Sequence, residues 1–164
     1  MASVKLQPRP LTEKRARPPR VAIVASLYND DLVNGLLHAC ERELTAIEPR
    51  IMVQVVRVPG AFEIPVAVAR LVRKGNVDVV IALGVLLRGA TSHADLIGGA
   101  VTQSLQSLAV ETGVPVIHEV LLLSRAEAEE RCLGTEINRG TEAARTAVSM
   151  ADLFAQIGGA TSHE

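Results

Sequence analysis

Apolar and polar positions fall in blocks along this chain, and the block lengths separate strands from helices. Residues 21–25 form a short unbroken apolar run, the pattern of a strand buried on both faces. Asp30 and Asp31 then offer an N-cap, and Val33, Leu36, Leu37, Cys40, Leu44 and Ile47 follow at helical spacing. Residues 51–56 are rich in β-branched side chains and predict a second strand. Residues 64–72 are apolar and helical, with Pro65 tolerated in the first turn and Gly75 as the stop. A third strand is predicted over 79–83. Leu96, Ile97, Ala100, Val101, Leu105 and Leu108 then mark one helical face, closed near Gly113. A fourth strand is predicted over 115–122. Ser124 and Glu127 have the spacing of a capping box for a short helix, and a last helix covers roughly 141–156.

The order is therefore strand–helix three times, then a strand and two helices. Such alternation implies a parallel sheet with helices on both faces. The fold class predicted is α/β, a flavodoxin-like three-layer α/β/α sandwich with a parallel four-stranded sheet. In such sheets ligands bind beyond the carboxyl ends of the strands. Four loops then need inspection: 26–30, 57–63, 84–93 and 121–125.

Composition adds limits. The 164 residues suit one domain, assigned to 21–158, and are enough to bury a substantial core. With 48% hydrophobic and 21% charged residues the chain reads as folded. Residues 1–20 carry Pro8, Pro10, Pro18 and Pro19 and six basic side chains against one acid, the composition of a flexible arm. That arm either stays solvated or docks on a neighbouring subunit or an anion. Residues 159–164 form a tail. There Gly159-Ala160-Thr161-Ser162-His163 repeats Gly89-Ala90-Thr91-Ser92-His93 with no strand before it, and it reads as coincidence. Net charge is −1, which does not mark a nucleic-acid binder. No run reaches the roughly 20 apolar residues of a membrane span, and no secretory signal is visible. Cys40 and Cys132 lie in helical patterns as buried free thiols, which suits a reducing cytoplasm. No His and Cys set has metal-ligand spacing, so no metal is inferred.

Aromatics make up only 2% of the chain, so Tyr28 in the first loop is informative: it can stack on a flat heterocycle or simply pack at the rim. In the second loop Pro59-Gly60 favours a tight turn, and Glu63 stands at a helix start, where it caps the dipole or meets a polar ligand. The third loop carries small residues at 89–92 just before a helix, a geometry that lets backbone amides converge on a phosphate. It is not a P-loop, because the GxxxxGK[ST] spacing is absent. His93 follows directly; it is either structural or a proton carrier near neutral pH. Arg131, on the short helix after the fourth strand, is either a solvated charge or the planar partner of that phosphate. His118, inside the fourth strand, is either a hydrogen-bonded core histidine or a pocket wall.

Together the segments 58–65, 83–93, 114–120 and 138–144 resemble the lumazine synthase family, and the similarity covers residues 21–155. The most specific parts are the Pro59-Gly60-Ala61-Phe62-Glu63 turn and the Arg88-Gly89-Ala90-Thr91-Ser92-His93 loop. The resemblance implies a transferase of riboflavin biosynthesis. It condenses 5-amino-6-(D-ribitylamino)uracil with 3,4-dihydroxy-2-butanone 4-phosphate to 6,7-dimethyl-8-ribityllumazine, without cofactor or metal. It also implies roles. His93 moves protons, and Ala90, Thr91 and Arg131 hold the butanone phosphate. Tyr28 stacks on the pyrimidine; Ala61, Phe62 and Glu63 contact the ribityl side; Val85, Leu86 and Leu87 line the pyrimidine pocket with His118. Asn29 and Arg139 are further candidates. Three departures stand out: His118 replaces a common phenylalanine, Arg139 a usual lysine, and Glu119 and Leu123 a common glycine and threonine. Partners implied are the two small-molecule substrates and further copies of the chain, with neither nucleic acid nor membrane. The assembly is a homopentamer with sites between subunits, and the short segment 131–138 leans towards twelve pentamers in an icosahedral capsid. Two rival readings differ in class: a shell-forming paralogue impaired in catalysis, and a flavin-binding module.

Overall fold

Parallel strands cannot be joined by tight turns, and this chain supplies helical crossovers between them. The computed structural model describes residues 17–159; residues 1–16 of the arm and 160–164 of the tail, with most of the repeated motif, lie outside the described residues. Four strands, β1 (Arg20–Ser26), β2 (Met52–Val58), β3 (Val79–Leu87) and β4 (Val116–Leu123), pair in parallel in the order β2-β1-β3-β4. Helices α1 (Asp30–Ile47), α4 (Arg125–Leu133) and α5 (Arg139–Gly159) cover one face of the sheet. Helices α2 (Ile64–Lys74) and α3 (His93–Thr112) cover the other. This is the three-layer sandwich that the alternation predicted.

Both core layers are aliphatic, as the scarcity of aromatics required. Leu32, Leu36 and Leu44 of α1 pack with Ile81 and Leu83 on one side; Val24, Ile64, Val68 and Leu105 pack on the other. Cys40 and Cys132 are buried free thiols, and burial pushes Cys132 up to about 11. Ser124 and Glu127 form the expected capping box, and Gly75 ends α2 at φ 72°, in the left-handed region that costs other residues energy.

Three local expectations are corrected. Strand β3 runs on to Leu87 instead of ending at Leu83, because Gly84 does not break it: a Cβ there would press within 3.2 Å of Ile64 Cδ1 and 3.3 Å of Val120 Cγ1. The glycine permits close packing while the ladder with β4 continues to Leu87–Leu123. The N-cap position of α1 is Asn29 at φ 57°, not Asp30 or Asp31, which lie in the first turn. Finally, Leu96 (70% exposed) and Ala100 do not join Val101, Leu105 and Leu108 in the core. Helix α3 is apolar around more than one stripe, and only one stripe docks within the chain.

At the start of β1 one carboxylate gathers two arginines read from sequence as part of the arm. Asp78 accepts hydrogen bonds from Arg17 Nη1 (2.8 Å), Arg20 Nη2 (3.1 Å) and the Arg20 amide (2.7 Å). Partial burial pushes the Asp78 carboxyl up, but these donors overcome it and hold it well below the usual carboxylate range. A depressed folded-state pKa adds stability that is present above the unfolded pKa of about 4 and is lost as pH falls through the folded one. Asp78→Asn is therefore expected to cost about 1–2 kcal/mol at neutral pH. In urea titrations the loss should shrink as pH drops below 4; a constant difference would refute the linkage.

Candidate active site

The loops after β1, β2 and β3 are tied together by their own backbones. Leu27 N donates to Val58 O (2.8 Å) and Tyr28 N to Pro59 O (3.1 Å), so the first loop is stitched to the second. Asn29 Nδ2 donates to Val85 O (2.8 Å), which fastens the first loop to the end of β3. The left-handed backbone of Asn29 makes this reach, and asparagine tolerates that conformation better than most residues. In the second loop Glu63 N donates to Gly60 O (3.3 Å), closing a single 3-10 turn over Ala61–Glu63 that leads into α2.

These loops enclose a cleft of about 530 Å³ beyond the carboxyl end of the sheet. It is lined by Tyr28 and Asn29, by Gly60, Ala61, Phe62 and Glu63, by Val85, Leu86 and Leu87, and by Gly89, Thr91, His93, Ala94 and Ile97. Ten residues predicted from sequence thus meet in one place. Tyr28 and Phe62, two of the chain's three aromatics, stand 73% and 62% exposed at the cleft. Rings at the mouth of a cleft offer flat apolar faces on which a planar ligand can stack. The end of β3 supplies an apolar floor, and Glu63 adds an anionic acceptor.

His93 opens α3, whose N-cap Ser92 makes no side-chain capping bond. Among the described residues no side chain caps the first-turn amides, and the helix dipole favours an anion there. Gly89, Thr91 and His93 line the cleft together at this helix start. Ala90 lies between the lining residues Gly89 and Thr91 and is exposed, but does not itself line the cleft. Sequence reasoning missed Ala94 and Ile97. Ile97 was read as core, although its spacing of four from His93 on one helix signals a shared face.

His118, Arg131 and Arg139 are not in this cleft. His118 lines a second groove of about 560 Å³ along the free edge of β4, with Glu119, Val110, Thr146, Met150 and Phe154. Its Nε2 sits 2.8 Å from Thr102 Oγ1, and burial lowers its pKa. Arg139 Nε donates to Glu119 Oε2 (3.2 Å), and Nη1 to Glu142 Oε2 (2.5 Å). Arg131 is exposed on α4 and makes no hydrogen bond or salt bridge among the described residues. These three candidates therefore lie outside the cleft that gathers Tyr28, Phe62, Glu63, Thr91 and His93. Among the described residues no group of three or more His, Cys, Asp or Glu could hold a metal ion, and no helix is long and apolar enough to cross a membrane.

Comparison with known proteins adds the chemistry. The family model described as 6,7-dimethyl-8-ribityllumazine synthase matches residues 18–155. A relative of that name from Kineococcus radiotolerans is 44% identical over 132 residues, 79% of this chain and 81% of the relative. One from Aquifex aeolicus is 41% identical over 140 residues, covering 82% and 89% of the two chains. One from Azoarcus is 35% identical over 137 residues, covering 82% and 85%.

Proposed function

This chain belongs to the 6,7-dimethyl-8-ribityllumazine synthase family, and from that premise we propose how its candidate site residues cooperate in one reaction. The enzyme is a transferase that condenses 5-amino-6-(D-ribitylamino)uracil with 3,4-dihydroxy-2-butanone 4-phosphate, the penultimate step of riboflavin biosynthesis. The 5-amino nitrogen forms an imine with the ketone and water departs. Phosphate is then eliminated, and the ribityl-bearing nitrogen closes the second ring with loss of a further water.

In this reading the pyrimidine lies on Val85, Leu86 and Leu87 with Tyr28 stacked on it, oriented by Asn29. Ala61, Phe62 and Glu63 hold the ribityl chain, whose hydroxyls suit a carboxylate acceptor. Thr91, Ala90 and the first-turn amides of α3 receive the phosphate. His93, at the same helix start, moves the protons that imine formation and elimination require. Holding two reactants in contact supplies much of the rate. The observation that carries the reading is the convergence of Tyr28, Phe62, Glu63, Thr91 and His93 on one cleft.

His118, Arg131 and Arg139 complete that cleft from a neighbouring copy. A ring of five chains meets this requirement, with the exposed apolar stripe of α3 available for the contact. The short segment between α4 and α5 favours closure of twelve such rings into a shell. Two buried free thiols fit a cytoplasmic setting.

The test is lumazine formation from the two purified substrates, followed by absorbance. His93→Gln is expected to lower kcat about 10²-fold with little change in either KM. Absence of product from the wild-type protein, in an assembled state, would instead favour the scaffold paralogue.

A further inference from the structure

Glu119 is a carboxylate that the fold buries almost completely. It sits in β4 with a side chain only 8% exposed, on the sheet face covered by α1, α4 and α5. Buried carboxylates persist when they are hydrogen-bonded or paired. The one hydrogen-bond donor to Glu119 among the described residues is Arg139 Nε, at 3.2 Å. The other titratable groups acting on it are Glu142 on α5, Cys40 on α1 and Cys132 on α4. Its register partner on β3 is the apolar Leu83.

Arg139 is correspondingly constrained. Two of its nitrogens are held by carboxylates, Nε by Glu119 and Nη1 by Glu142. Its Nη2 makes no hydrogen bond among the described residues, and the side chain is 36% exposed. The next residue, Gly140, is packed against the backbone of Leu36, so the base of the side chain is anchored as well. A free arginine loses rotamer freedom when it grips a ligand, whereas one already clamped on two edges does not.

We propose that Glu119 is a positioning residue for substrate binding: by holding Arg139 Nε it aims the free Nη2 at an acceptor oxygen of the aminouracil in the neighbouring copy's cleft. The proposal rests on the reading above that Arg139 completes a neighbouring copy's cleft, and it assigns Arg139 there to the aminouracil. Glu119 takes no part in the bond-making and bond-breaking steps. Burial pushes its carboxyl up to about 7, against the pull of Arg139 and with the help of Glu142. The grip on Arg139 therefore strengthens as pH rises through neutrality.

The test is a kinetic double-mutant cycle on the assembled enzyme. Glu119→Gln is expected to raise the aminouracil KM about 10-fold and to leave the butanone phosphate KM unchanged. The wild-type aminouracil KM should fall as pH rises from 6 to 8, and the Gln variant should be flat across that range. In an Arg139→Ala background, Glu119→Gln should add nothing further. Glu119→Asp keeps the charge but draws it back by one methylene; an intermediate KM supports the same role and serves if the Gln variant does not fold. If Arg139→Ala raises the aminouracil KM while both Glu119 variants match wild type, positioning is overturned and the Arg139 assignment stands. If the two effects simply add, Glu119 acts elsewhere and the proposal is overturned. If Arg139→Ala leaves the aminouracil KM unchanged, the Arg139 assignment is overturned together with its positioning.

Discussion

Replacing Arg131 with alanine is expected to lower kcat/KM for the phosphorylated substrate at least about 100-fold, because each charge-assisted hydrogen bond to phosphate contributes about 1.5–3 kcal/mol and 1.4 kcal/mol is tenfold. The affinity for the aminouracil should be nearly unchanged, since that substrate carries no phosphate. Arg131 has no hydrogen bond or salt bridge among the described residues and is exposed, so thermal stability should not move. Among the described residues no hydrogen bond commits the guanidinium, which leaves it able to meet an anion. Arg131→Lys should recover part of the activity, keeping the charge but not the planar two-pronged geometry. The measurement is steady-state kinetics with each substrate varied in turn, together with a direct aminouracil titration. Equal loss of both affinities would count against the phosphate role.

Gly140→Ala is expected to be the most damaging single methyl group added to this fold. A Cβ at Gly140 would collide with the backbone oxygen, carbonyl carbon and Cα of Leu36, so no side-chain rotation relieves it. Helix α5 would have to lift from α1, with Ala143, Ala144 and Ala147 behind it in the core. Overpacking of this kind costs about 3 kcal/mol or more, or about 10 °C in unfolding midpoint for a chain of this size. Activity should fall as well, because Arg139 sits at the same helix start. Gly75→Ala is the contrast: nothing lies within 4 Å of its added Cβ, and only the φ of 72° resists it, so about 1 kcal/mol is expected. Thermal melts of the two variants decide this, and equal losses would refute the steric account.

Much of this architecture can be read from short-range spacing. Helical periodicity in α1, the Ser124–Glu127 capping box, Gly75 and the aliphatic strand runs each depend on neighbours a few residues away. Once strands and helices alternate, a parallel sheet follows, and with it the end at which ligand loops gather. Tyr28, Glu63 and His93 were therefore legible as candidates in the loops that follow strands, whereas Phe62 became one only through the family resemblance.

Other features depend on residues far apart in sequence. Gly84 resembles a strand end until Ile64 and Val120 are seen crowding it. Asn29 takes the N-cap position because its carboxamide is drawn to Val85 O, across the sheet. Leu96 looks like core until α3 is docked by its other stripe. Above all, chemistry and family resemblance mark His118, Arg131 and Arg139 as candidates, but do not show that the fold leaves them outside the cleft of His93. Local pattern encodes dihedral preference and burial, both short-range effects. Which side chains face one another is decided by packing between layers and by the free edge of β4, and these exist only after the chain has folded.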